Sequence, residues 1–465
     1  MTAASAGSTG GVSRRALLRG ARMAIVGGTA AALTGCRGGA RSAVPAMTVA
    51  ALAERYTRLT LRLAKQQPSL VEAWLGPPSW NDGPRVPAPA LRAETSGLLE
   101  DLQRVMAHAA PTASWVPPEA GRRVAPGDVA PNWDSVRLAY LAGQILALDD
   151  AAGRLLGESR TFAEESQHSF GHAAPPRDAG ALDALRQRLS ELLPGRGTLA
   201  ERHATFRRSL AVAPDRVEAV FAAAVTWCRA AARDVVPLPD GEALTTCAAD
   251  DAGWAAFSRP TGPRASELWV SRRGGADAAH LLQLAAHEAT PGHHVQHVLA
   301  MAELVEARGW TERALTPSFG AHRLLAEGAA EAGADLLLPV DTRERVCREV
   351  LLPAAGQRPA VAGQLVRIER LAADLGIEVA HIANDYLDSS LPSADVAARL
   401  RDEALVLDPA GMVAFIEQQR SKVLAYPLGR RLVQQVLDST PAGARWARFS
   451  AISTTLTFGE IMAAS

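Results

Sequence analysis

Eight residues, His287-Glu288-Ala289-Thr290-Pro291-Gly292-His293-His294, limit what this chain of 465 residues can fold into more than any other feature. The stretch Ala278 to Ala286 before them has helical composition, so His287 and Glu288 are expected to continue a helix. His287 and His293 are six positions apart, which on a regular helix means about 600° of rotation and roughly 9 Å of rise. Two imidazoles so placed cannot share one metal ion through bonds of about 2.0–2.1 Å. Pro291 changes this, because it has no N–H for the His287 carbonyl and its ring clashes there, so the helix must kink, bulge or stop. Gly292 is then expected to take the unusual dihedrals that turn the chain back and bring His293 alongside His287.

The common zinc-peptidase motif sets two histidines at i and i+4 on one helical face, with a glutamate beside the first. This chain has the same elements with two extra residues, and Pro291-Gly292 is a pair suited to absorbing such an insertion. A second arrangement is open: His293 and His297 form an i, i+4 pair that can hold a metal on a regular helix starting after Gly292, with His287 excluded. His294 either lines the pocket, donating to a developing oxyanion, or is a hydrogen-bonded structural histidine.

Further along, Glu327, Glu331 and Asp335 recur at i, i+4 and i+8 on one face of a helix expected over 320–338. Glu331 and Asp335 are candidates to orient a histidine N–H from outside the ligand set. The competing reading is an exposed acidic stripe paired with Arg323 or Arg343. His168, His172 and His322 have no partner at ligand spacing except each other and read as structural or surface residues.

With Glu327-Gly328 and Tyr426-x-x-Gly429 downstream, and Glu72-Ala73-Trp74-Leu75-Gly76-Pro77-Pro78 upstream, the string His287-Glu288-x-x-Pro291-Gly292-His293-His294 resembles the bacterial domain-of-unknown-function 885 family of zinc metallopeptidase-like proteins. The likeness runs from about residue 50 to 435. It implies a mostly α protein, a single large helical zincin-like domain over 47–465 with a small β element before the metal-binding helix. It implies Zn2+ held by His287, His293 and, from a later helix, Glu327, with Glu288 as the catalytic carboxylate and Tyr426 as a donor to the oxyanion. The family often carries Trp after Glu-Gly and a Tyr and Glu further on, where this chain has Ala329, Ala332 and Ala334, so its substrate pocket is expected to differ. The chemistry points the same way, since two imidazoles and one carboxylate leave a fourth zinc position for water, and Glu288 stands next to the first ligand.

The amino-terminal segment is read as a leader. Ser13-Arg14-Arg15-Ala16-Leu17-Leu18-Arg19 is a twin-arginine region, followed by an apolar, small-residue run from Ala21 to Thr34. Leu33-Thr34-Gly35-Cys36 resembles a bacterial lipobox, so residues 1–36 are expected to be removed before Cys36, which would carry lipid. Residues 37–46 read as a tether, giving an exported protein anchored by acyl chains in the cell envelope. Basic and acidic residues balance at 49 each, which argues against nucleic acid as a partner, and all the basic residues except Lys65 and Lys422 are arginine. Besides Cys36 there are Cys228, Cys247 and Cys347, which permit one disulfide, such as Cys228 to Cys247, or free buried thiols.

The body reads as helices at 49–67, 90–109, 134–157, 178–193, 197–210 and 214–235, separated by Gly/Pro breaks. One strand is expected, Glu267 to Ser271, placed to hold an extended substrate if it lies at an edge. The leading expectation is a lipid-anchored zinc hydrolase acting on a peptide or peptide-like substrate. A zinc hydrolase of a non-peptide amide or ester, and a non-catalytic lipoprotein with a structural or empty metal site, are the alternatives. Glu288 favours an enzyme, since a structural site needs no carboxylate beside its first ligand.

Overall fold

The computed structural model describes residues 47–108, 133–250, 254–273, 275–389 and 391–455. The leader, its Cys36 and the 37–46 tether lie outside them. The first helices are α1 (Val49–Ala64), α2 (Ala88–His108), α3 (Trp133–Arg154), α4 (Phe162–Phe170), α5 (Ala179–Leu192), α6 (Leu199–Ser209) and α7 (Val217–Ala232). All but α4, which no expected helix covers, fall where Ala-, Leu- and Arg-rich sequence predicts helix, and side chains set several of their starts. Thr48 Oγ1 accepts the Ala51 N–H at the head of α1, while Thr161 with Glu164, and Thr198 with Glu201, form capping boxes at α4 and α6.

The β content is larger than the sequence suggested. After α1 comes β1 (Val71–Trp74), and after α7 come β2 (Ala243–Ala249), β3 (Ala256–Gly262) and β4 (Ala265–Ser271), which form one sheet in the order β2-β4-β3. The expected strand is therefore the central one, parallel to β2 and antiparallel to β3, so it cannot add a substrate strand. Arg259 to Gly262 belong to β3, an edge strand where the missing N–H of Pro260 is tolerated. Leu268 and Val270 of β4 are buried in the same core cluster as Val220 and Phe221 of α7.

Next come α8 (Ala278–Glu288) and α9 (His293–Ala300), then β5 (Leu315–Pro317), which pairs antiparallel with β1 across the chain. The longer helices that follow are α10 (Ala321–Leu337), α11 (Val340–Val346), α12 (Ala362–Asp374), α13 (Gly376–Leu387), α14 (Ser393–Asp402), α15 (Pro409–Gln419), α16 (Ala425–Ser439) and α17 (Arg445–Thr455). Leu281, Leu282, Ala285 and Ala286 seat α8 in the same buried cluster as α7, whereas Leu324 and Leu325 of α10 share a core with Leu432 and Val433 of α16.

Helices α10 and α16 meet backbone to backbone. A Cβ on Gly328 would lie 2.3 Å from the Gly429 carbonyl carbon, and one on Gly429 would lie 2.3 Å from the Leu324 oxygen. Both are closer than any side chain tolerates. The glycines of Glu327-Gly328 and Tyr426-x-x-Gly429 are thus two halves of one helix crossing, which brings Glu327 and Tyr426 to the same region. Cys228, Cys247 and Cys347 are free thiols. Burial pushes the Cys228 and Cys347 thiols up to about 12, so neither is nucleophilic at neutral pH.

Candidate metal centre

Helix α8 is capped by Asp277, whose carboxylate accepts the His280 N–H, and it stops at Glu288. Four residues, including a cis Thr290–Pro291 bond, connect it to α9, which begins at His293. The chain stops rather than kinks. Gly292 N–H donates to the Ala286 carbonyl at 3.0 Å, folding the turn back on the end of α8. Gly292 has φ −77° and ψ −136°, outside both the helical and the extended regions, as expected of a residue that turns the chain back. A Cβ there would sit 1.7 Å from the His287 carbonyl oxygen and 2.7 Å from that of Ala286, so space excludes a side chain.

This turn sets the His287 and His293 rings 4.7 Å apart, centroid to centroid, and nearly perpendicular. Glu327 reaches the same point from α10. Its Oε2 stands 3.2 Å from His287 Nε2 and 3.3 Å from His293 Nε2, and all three ligand atoms lie within 4.8 Å of one another. Bonds of about 2.0–2.1 Å in tetrahedral array put neighbouring ligand atoms roughly 3.3–3.4 Å apart. Both separations from Glu327 fit such an array, so the two imidazoles and one carboxylate could hold a divalent metal.

Each ligand is held from behind. Glu331 Oε1 is 3.0 Å from His287 Nδ1, an ion-pair distance without hydrogen-bond alignment, and its Oε2 accepts from Gln283 Nε2 at 2.9 Å. Gln296 Oε1 lies 3.4 Å from His293 Nδ1, while its Nε2 donates to the Ala326 carbonyl. Arg323 Nη2 stands 2.7 Å from Glu327 Oε1. Metal-bound histidines usually have such a partner on the second nitrogen. Gln283 and Gln296 were not singled out from the sequence, although each lies one helical turn from a ligand histidine, a spacing that points to them.

The carboxylates dominate the electrostatics. Burial works against a charge on His287, but Glu327 and Glu331 outweigh it and raise the imidazole well above its ordinary value. Burial likewise opposes a charge on Glu327, yet Arg323 and His293 hold its carboxyl well below the usual range. Such a site demands positive charge at the rings, which a proton or a metal cation can supply. Glu288 is buried, and among the described residues its carboxylate makes no hydrogen bond or ion pair. The Tyr426 ring stacks over His287 at 6.3 Å. Burial, then the charge of Glu327, push its hydroxyl well above 10, so it stays protonated and able to donate.

Several candidates lie elsewhere. His294 is fully buried and turned away from the pocket, with Nδ1 2.9 Å from Ser266 Oγ and Nε2 2.6 Å from Glu242 Oε1. Glu242 also accepts two hydrogen bonds from Arg229. Burial opposes its charge, but the bonds from His294 and Arg229 bring its carboxyl down to about 2. His294 thus ties the head of α9 to the sheet. Replacing it with alanine should lower stability by about 2–3 kcal/mol, because Glu242 loses a buried partner. Zinc content should be unchanged; a calorimetric Tm within a degree of the parent would overturn this role.

Asp335 is also not a partner of the histidines. It lies 3.0 Å from Arg343, 2.7 Å from Arg370 and 2.7 Å from Arg430, two turns beyond Glu327 on α10. His297 Nε2 donates to the Gly262 carbonyl at 2.8 Å, so the His293/His297 pair does not face one ion. His168 lies 3.3 Å from Asp150, His172 lies 3.2 Å from the Phe170 carbonyl, and His322 packs edge-on to Tyr140. Beyond the ligands, Arg323 Nη1 is 2.7 Å from Glu72 Oε2, and Lys422 Nζ is 3.3 Å from Glu72 Oε1. No spacing in the sequence joins these three, because β1, α10 and the turn before α16 supply one each.

Among the described residues no helix is long and apolar enough to cross a membrane. The chain matches no protein-family model and no curated protein. Among solved structures it is similar to one described as "the putative lipoprotein from Colwellia psychrerythraea", at 13% identity and a TM-score of 0.46, covering 81% of this chain and 68% of that one. A "putative lipoprotein of unknown function from Shewanella oneidensis" is similar at 12% identity and a TM-score of 0.45, covering 81% and 73%.

Proposed function

We propose that this chain is a zinc-dependent hydrolase acting on peptide or peptide-like amides, exported and held at the cell envelope by lipid on Cys36. The observation that carries the hydrolytic reading is the convergence of His287, His293 and Glu327 on one point, next to an uncommitted carboxylate on Glu288. The motif likeness to the domain-of-unknown-function 885 family supports the same assignment. The envelope reading rests on the twin-arginine run at Arg14-Arg15 and on Leu33-Thr34-Gly35-Cys36.

When bound, zinc supplies a Lewis acid and lowers the pKa of water from 15.7 to about 7. Glu288 takes a proton from the attacking water and passes it to the departing nitrogen. A carbon–oxygen bond forms, the carbon–nitrogen bond breaks, and the products are a carboxylic acid and an amine. The protonated Tyr426 hydroxyl donates to the oxygen that gains charge at the attacked carbonyl. Glu331 and Gln296 fix the rings of His287 and His293, so their Nε2 atoms stay aimed at the site.

The test is elemental analysis joined to a peptide-library digest. Purified protein should hold about one zinc per chain, lost in a folded His287→Ala variant, and should release new amines from the library. A folded parent that stays metal-free after dialysis against zinc sinks the proposal.

A further inference from the structure

The site holds more positive charge on one side than its own chemistry uses. Arg323 and Lys422 are each 11% exposed at the side chain, whereas Glu72, between them, is 36% exposed. The two oxygens of Glu72 are divided between the two cations, which shows that their spacing accepts a carboxylate. The second anion on Arg323 is Glu327, and that charge is committed once Glu327 holds a divalent ion. Two cations then face one carboxylate. An ammonium carries three donors, and Lys422 has one partner among the described residues, so two N–H groups are left in a largely buried place. Lys422 is joined to the site by ion pairs, through Glu72 to Arg323 and from Arg323 to Glu327. An anion beside its ammonium would stand roughly one or two extended residues from the cluster.

We infer that Lys422, with Arg323 behind it, receives a substrate carboxylate one or two residues from the scissile amide, so that the enzyme trims free carboxyl ends rather than cutting inside chains. The inference rests on the hydrolase reading and narrows its substrate to amides whose amine portion bears an anion. Two sources share that chemistry: the terminal α-carboxylate, and an acidic side chain beside the cleaved bond.

The experiment uses the zinc-loaded protein and three acyl-dipeptides: one with a free carboxyl end, its carboxamide, and a carboxamide with aspartate as the last residue. Loss of a charged hydrogen bond predicts roughly 10- to 100-fold lower kcat/KM on the first carboxamide, chiefly through KM. Recovery with the aspartyl carboxamide would assign the subsite to a side chain; no recovery assigns it to the terminus. In Lys422→Met the preference for acid over amide should collapse, while Lys422→Arg should keep part of it. Calorimetric binding of N-acetylphenylalanine against its amide needs no turnover and keeps the inference separate from the hydrolase reading. A preference lost in Lys422→Met, without hydrolysis, upholds the subsite and removes the enzyme. Equal binding and equal cleavage of acid and amide overturn the subsite and leave the hydrolase intact.

Discussion

Glu288→Gln is expected to retain about one zinc per chain and to lower peptide hydrolysis by roughly 10²- to 10⁴-fold. The substitution changes one oxygen to an amide nitrogen and leaves the shape of the side chain almost as it was. An amide cannot take the proton of an attacking water at neutral pH, so the loss should fall on kcat and leave KM nearly unchanged. Zinc is retained because the support of the ligands comes from elsewhere: Glu331 stands behind His287, Gln296 behind His293 and Arg323 behind Glu327. Glu288 takes part in none of these contacts. Zinc analysis and initial rates on one preparation decide the matter. Loss of zinc would make Glu288 part of the ligand set, and unchanged turnover would remove it from catalysis.

What the sequence disclosed of this site follows from the range of the interactions involved. The break between His287 and His293 was legible because proline acts on the residue four before it, and Glu331 was legible as one helical turn from Glu327. The helices α1 to α3 and α5 to α7 were readable for the same local reason, whereas the short α4, Phe162–Phe170, was not expected. Their ends depend on caps such as Thr48 and the Thr161–Glu164 pair. By contrast, the place of β4 at the centre of its sheet depends on β2 and β3, neither of which has a clear alternating pattern. His294 looked like part of the site because it follows His293, yet the next residue on a helix points about 100° away, here into Ser266 and Glu242. Asp335 shares a helical stripe with Glu327, but two turns separate them and three arginines surround it. Arg323 and Lys422 meet Glu72 across 251 and 350 positions of sequence respectively, a relation that only tertiary structure reveals.

Two readings of Gly292 are open to test: the turn after α8 has room for a side chain, or it has none. Its φ of −77° and ψ of −136° fall outside the helical and extended regions that other residues adopt. Space is short as well, because a Cβ would meet the His287 carbonyl oxygen at 1.7 Å, and that oxygen is backbone at the end of a buried helix. The turn would have to open, and the Gly292 N–H would draw away from the Ala286 carbonyl, now 3.0 Å distant. Since the same turn sets the spacing of the His287 and His293 rings, stability and metal binding should fall together. Gly292→Ala is expected to lose at least about 3 kcal/mol of stability and to weaken zinc binding by roughly 10- to 100-fold. Gly376 at the head of α13 is the matched control: a Cβ there meets nothing within 4 Å, so Gly376→Ala should be neutral or stabilise by up to about 1 kcal/mol. Urea unfolding of both variants, with a competitive zinc titration, separates the readings. A Gly292→Ala protein as stable and as tight for zinc as Gly376→Ala would show that the turn has room for a side chain, and that the ring spacing does not depend on this contact.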